Sequence, residues 1–159
     1  MEAIKDIEIG SHTYMIAKMD ADSGSWLLMR LMGQLQKAIS EMPSSAEVTE
    51  QATEETQDTA QAAIQFLLMN LDQDTFKTVQ RHALNVCYRY ETVGNALKPL
   101  PVIMTNGRFC YKDLNFDIQS VMRLTSEALF ANLSPFFSKD GLKAMLTGEQ
   151  DSSQLSFPT

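Results

Sequence analysis

The spacing of apolar residues changes twice along this chain, and that change restricts it to folds combining short hairpins with packed helices. Ala3-Ile4-Lys5-Asp6-Ile7-Glu8-Ile9 alternates apolar and polar residues, Gly10-Ser11 follows, and residues 12–19 alternate again, less cleanly. Two period-2 runs around a glycine-containing turn predict a β-hairpin. From residue 25 the spacing lengthens: Leu28, Leu31, Met32, Leu35, Ala38 and Ile39 repeat at helical intervals. An amphipathic helix over 25–40 follows, with Ser23 or Ser25 as its N-cap and Pro43 as its stop.

Residues 41–58 hold almost no large apolar side chain. From residue 38 to 76 there are eight acidic residues and no basic one. Such a segment buries little, so 41–58 is expected as an acidic, mobile loop. Ala60, Ala63, Ile64, Leu67 and Leu71 mark a second helix beginning near Thr59. Asp72 or Asp74 caps a third, whose face is Phe76, Val79, Ala83 and Val86. Residues 86–90 are strand-like, and Pro99-Leu100-Pro101 closes a loop. Asn106-Gly107, flanked by β-formers, predicts a second hairpin over 102–112 with a type I′ turn. Asp113 or Asn115 caps a fourth helix carrying Ile118, Val121, Met122, Thr125, Ala128 and Leu129, with Asn132 as its left-handed terminator. Ser134-Pro135 starts a short fifth helix. The expected architecture is α+β: one domain over 1–148 and a flexible tail over 149–159.

Charge and composition remove several functions. With 13 Lys plus Arg against 20 Asp plus Glu, the net charge is −7, a poor balance for gripping phosphates, so no nucleic acid is expected as a partner. The longest apolar runs, Trp26-Leu27-Leu28-Met29 among them, are four residues and far short of a membrane span, so no membrane is expected either. The start of the sequence lacks the basic and apolar regions of a signal peptide. Cys87 and Cys110 are read as free thiols of a reducing cytoplasm.

No catalytic constellation emerges. His12 and His82 belong to no ligand run, and His82 with Cys87 and Cys110 lacks the paired spacing of a zinc site. The glycines form no phosphate cradle. Asp20 with Asp22, and Asp72 with Asp74, suit caps better than calcium loops. Arg89, Arg108, Lys112 and Arg123 make a modest basic spot, read as a salt-bridged sheet face ahead of an anion site. The expectation is no catalytic residue, no metal and no cofactor. A small ligand-binding domain or enzyme using Arg89, Arg108 and His82 is a weaker alternative, and a DNA-binding regulator is weaker still, because no helix collects the basic residues it needs.

The sequence is richer in surface for other proteins. It has ten methionines, and flexible thioethers adapt to varied partner shapes. Trp26, Leu27, Met29, Leu31, Met32 and Leu35 give the first helix a face wider than one small domain usually needs. Burial competes there with self-association or a groove for a partner segment. Near the end, Phe130 reads as core closure, while Phe136 and Phe137 are open between core and surface.

The order of these features resembles the tail assembly chaperones of long-tailed bacteriophages and prophages. The likeness rests on Tyr14-x-Ile16-x-Lys18-x-x-Ala21 leading into the leucine-rich stretch 26–35, then Asn106-Gly107, then Asn132-x-x-x-Phe136-Phe137, and spans most of 4–140. The acidic segment 41–58 is longer and more polar than in such relatives. The resemblance implies a non-enzymatic protein of the host cytoplasm that coats the tape measure protein, keeps it soluble and helps recruit tail tube subunits. Trp26, Leu27, Met29, Leu31, Met32 and Leu35 would then form the partner-binding face, with a homo-oligomer as a further possibility. A structural virion part, such as a tail-completion or tube-associated subunit, is the alternative.

Overall fold

The computed structural model describes residues 1–41 and 56–136, the side chains of 35–41, 56–60, 62 and 63 excepted. The first hairpin joins β1 (Ala3–Ile9) to β2 (His12–Ala17). Gly10, at φ +60°, occupies the first position of a two-residue turn, where a positive φ matches the twist of the flanking strands. Three helices follow, α1 (Ala21–Glu41), α2 (Thr56–Met69) and α3 (Gln73–Leu84). The chain then forms β3 (Cys87–Val93) and β4 (Ala96–Pro101), a 3-10 turn over Lys112–Phe116, α4 (Ile118–Leu133) and a final 3-10 turn, Ser134–Phe136. The fold is α+β, as the spacing predicts.

The four strands form one antiparallel sheet in the order β1-β2-β3-β4. Tyr14 pairs with Arg89 and Ile16 with Cys87, which places these four side chains on the face toward the helices. Tyr14 and Ile16 are fully buried there with Leu27, Leu31, Ile64, Leu67, Val79, Leu124 and Leu129. Burying each such aliphatic side chain contributes roughly 1.5–3 kcal/mol, so this layer is the main source of cohesion.

Several local expectations move by a few residues. Helix α1 begins earlier than Ser23 or Ser25 would allow, because Asp20 Oδ1 accepts the Ser23 N–H at 2.8 Å and caps it. Helix α2 is already helical at Thr56 and ends at Met69, leaving Leu71 in the following turn. Asp72 rather than Asp74 caps α3, accepting the Thr75 N–H at 3.1 Å. Pro43, most of the 41–58 loop, Phe137, Gly148 and the 149–159 tail lie outside the described residues.

The second strand pair is β3-β4, turned by Gly94-Asn95 with Gly94 at φ +65°. Pro99-Leu100-Pro101 therefore belongs to a strand rather than a loop. The closing pair Val93 and Ala96 sets the register so that Pro99 and Pro101 face the free edge, where a missing N–H breaks no ladder bond. Asn106-Gly107 turns the chain but closes only the bridge between Ile103 and Phe109. Gly107 alone takes a positive φ, +84°, so the type I′ turn does not form. Instead Gly107 N–H donates to Met104 O at 2.9 Å, Met104 N–H to Arg108 O at 2.7 Å, and Asn106 Oδ1 accepts the Arg108 N–H at 3.0 Å. The Asn106 side chain thus holds a three-residue turn.

Asp117, not Asp113 or Asn115, caps α4, accepting the Ser120 N–H at 3.0 Å. Asp113 is engaged by Arg89 Nη1 at 3.1 and 2.9 Å. Asn132 lies inside α4 in a right-handed conformation, so it does not terminate the helix from the left-handed region.

Candidate functional site

The residues singled out on α1 divide between inside and outside. Leu27, Leu31 and Met32 are buried in the core. Trp26 is half-buried, its ring 5.1 Å from His82 of α3 and 5.7 Å from the Arg30 guanidinium. Met29 is 68% exposed. The Leu35 side chain lies outside the described ones. The outward face of this stretch is thus a shallow depression lined by Asp22, Ser25, Trp26, Met29 and Arg30. Its apolar width reflects burial against the sheet and the other helices on one side, with Trp26 and Met29 left over.

A larger apolar feature lies where α2, α3 and α4 meet. Leu68 and Met69 of α2, Phe76 of α3 and Met122 of α4 line a groove of about 630 Å³, rimmed by Gln61, Gln65, Gln119, Arg123, Ser126 and Glu127. Met69 is 83% exposed. Ile118 stands one turn before Met122 on α4, so the apolar strip continues past the end of the groove. Ile118 is 80% and Phe116 92% exposed. Both flank the Asp117 cap, and the turn that carries Phe116 is anchored by buried Leu114 and by Asp113 on Arg89. Large apolar side chains held outward on an anchored turn are characteristic of a surface that meets another protein.

A second open cleft, about 610 Å³, runs between the start of α1 and the end of α4, with Ile4, Met19, Leu28, Leu133 and Phe136 among its apolar walls. Asn132 sits in this cleft, its Oδ1 accepting the Met19 N–H and its Nδ2 donating to Ala17 O. Phe130 packs partly buried against the core with Lys5 over its ring, and Phe136 is 44% exposed.

Several of the polar residues weighed for chemistry are engaged in structural contacts. Arg89 is buried and pairs with Asp113 and Glu91, and its guanidinium lies 4.3 Å from the Tyr111 ring centre. Arg108 and Lys112 do not join it among the described ion pairs, and Arg123 is at the groove rim on α4. Burial raises the Tyr14 phenol above its ordinary value, with the neighbouring Arg89 opposing. The His82 ring lies tilted by 35° against Trp26, whereas Cys87 is buried beneath α4, with Sγ 3.8 Å from Leu124 O. Among the described residues no group of three or more His, Cys, Asp or Glu could hold a metal ion. No described helix is long and apolar enough to cross a membrane.

The groove is hidden at the level of sequence because its walls come from three helices. Leu68, Phe76 and Met122 each satisfy a core-facing pattern within their own element, and only the packing shows that they border an opening.

The described residues thus form an α+β fold with two apolar clefts open at its surface. The profile described as phage tail assembly chaperone protein, TAC, matches residues 10–146, and the chain belongs to that family. No curated protein and no solved structure matches it in the same comparisons.

Proposed function

We propose that this protein binds the tape measure protein in the host cytoplasm, keeps it soluble and helps recruit tail tube subunits, without catalysing a reaction. Membership of the tail assembly chaperone family across residues 10–146 carries this reading. The physical basis is reversible shielding. A long amphipathic helix exposes an apolar stripe, and an adaptable apolar groove covers it until tube subunits take its place. The α2-α3-α4 groove suits such shielding, because its walls are thioether, aromatic and aliphatic and its rim is mostly uncharged glutamine and serine. Of the described side chains in the α1 set, Trp26, Leu27, Met29, Leu31 and Met32, the pair Trp26 and Met29 offers contact without unfolding the core, as a second point of attachment.

Co-expression with a tape measure protein, followed by sizing of the soluble fraction, tests the reading. The wild-type chain is expected to carry the partner into the soluble fraction and co-elute with it. Met122→Asp is expected to abolish co-elution, and Met29→Asp to weaken it. A partner that stays insoluble while the wild-type chain elutes alone overturns the proposal.

A further inference from the structure

The two edges of the sheet are not equivalent. At β4 the backbone groups facing outward belong to Leu97, Pro99 and Pro101, so two of three donors are missing and that edge cannot extend the ladder. At β1 the closing pair Ile9 and His12 directs the N–H and C=O of Ile9, Ile7 and Lys5 toward β2. Those of Asp6 and Glu8 then point away from the sheet. Among the described residues no strand pairs with this edge.

Charge selects what can pair there. Asp6 and Glu8 are exposed on the sheet face opposite the helices, and neither has an ion-pair partner among the described residues. Asp6 only accepts from the Tyr90 hydroxyl at 3.0 Å. Lys5, on the helix side, is taken by Glu127, and Lys18 lies 3.6 Å from Glu2. A second copy of β1 laid antiparallel on this edge, in any register of full overlap, sets Asp6 or Glu8 opposite Asp6 or Glu8. Like charges directly opposite destabilise a strand pair, so the edge rejects itself. A strand with Lys or Arg at alternate positions meets the same carboxylates as counter-charges while taking up the free backbone groups.

We infer that the β1 edge is a docking strand for an extended basic segment of another protein, bearing Lys or Arg at every second position, which joins the sheet as a fifth strand. The site stands apart from the α2-α3-α4 groove and does not depend on it. Main-chain pairing supplies the attachment, and Asp6 and Glu8 supply the selectivity.

The test is an NMR titration of the full chain with a synthetic peptide alternating Lys and Ile, and with a peptide of the same composition in blocks. The expected result is slowed exchange and shifted amide signals at Asp6 and Glu8, with Ile7 nearly unchanged, for the alternating peptide. Glu8→Pro removes an outward N–H that β2 does not use, the device the chain already employs in β4. It should weaken binding by about tenfold or more, and Glu8→Lys should do the same by charge. Urea unfolding checks that each variant keeps its fold. No shift at Asp6 and Glu8, equal binding of the blocked peptide, or full binding by Glu8→Pro each overturns the inference. Self-association of the wild-type chain that shifts the Asp6 and Glu8 amides without any peptide would make a second copy the occupant and overturn it equally.

Discussion

Asn132 Oδ1 accepts the backbone N–H of Met19 at 2.7 Å, tying the end of α4 to the segment between β2 and α1. Its Nδ2 donates to Ala17 O at 3.2 Å and to Ala128 O at 3.0 Å, so one side chain satisfies groups of the backbone just where the sheet hands over to the helices. Asn132→Ala leaves a donor and an acceptor without partners in a half-buried position. A loss of about 2 kcal/mol is expected, near the middle of the range for orphaned polar groups. A lower urea midpoint at unchanged slope checks it, and a midpoint within error of wild type refutes it.

The Arg89–Asp113 pair anchors the 3-10 turn that carries Phe116. Arg89 is buried, but Asp113 is half-exposed, so solvent screens part of the attraction. Asp113→Asn should therefore cost about 1–2 kcal/mol, below the cost of breaking a fully buried pair. Hydrogen exchange over 112–116 should quicken in this variant while β1 and β2 stay protected. Equal acceleration in the first hairpin would show that the pair does not act locally.

What the sequence discloses here depends on the range of the interaction. The first hairpin is legible because alternation and Gly10 act within a few residues. Helices α1 to α4 are legible from spacing, yet their caps are less so: Asp20, Asp72 and Asp117 compete with nearby Ser23, Asp74 and Asp113, and at α4 tertiary pairing decides. Asp113 is claimed by Arg89, which lies 24 positions away. Asn106-Gly107 carries the stronger turn signature, but Gly94-Asn95 closes the sheet because β3 continues beside β4 up to that turn. Asn132 looks like a helix terminator because its partners, Ala17 and Met19, are more than a hundred residues distant. The groove walls are hidden for the same reason.

The caps predict how stability follows pH. Asp20 is held below the usual carboxylate range by the Ser23 N–H and hydroxyl, Asp72 by the Thr75 side chain and N–H, and Asp117 by those of Ser120. A carboxyl with a lower pKa folded than unfolded leaves the unfolded chain holding more protons, so stability rises with pH in that window. The contribution is complete above the unfolded value, about 3.9, and disappears as pH falls through the folded value. The urea midpoint should fall on going from about pH 5 to about pH 3. Asp117→Asn, which still caps but cannot titrate, should flatten that fall, and an unchanged slope would exclude the cap as a contributor.

The two thiols should separate cleanly by reactivity. Cys87 is buried in the core, its Sγ 3.4 Å from Ala83 O, and desolvation pushes its pKa up to about 12. Cys110 is exposed, directly after Phe109 of the short bridge, and its N–H donates to Val102 O at 2.8 Å. Because the thiolate is the reacting species, a native chain should titrate one thiol with a disulfide reagent and two in denaturant. Cys110→Ser should leave the native chain silent, and the slow reaction that remains should track opening of the core between β3 and α4. Rapid modification of Cys87 in the folded Cys110→Ser chain would mean that α4 does not cover the sheet as firmly as the burial of its Leu124 and Leu129 requires.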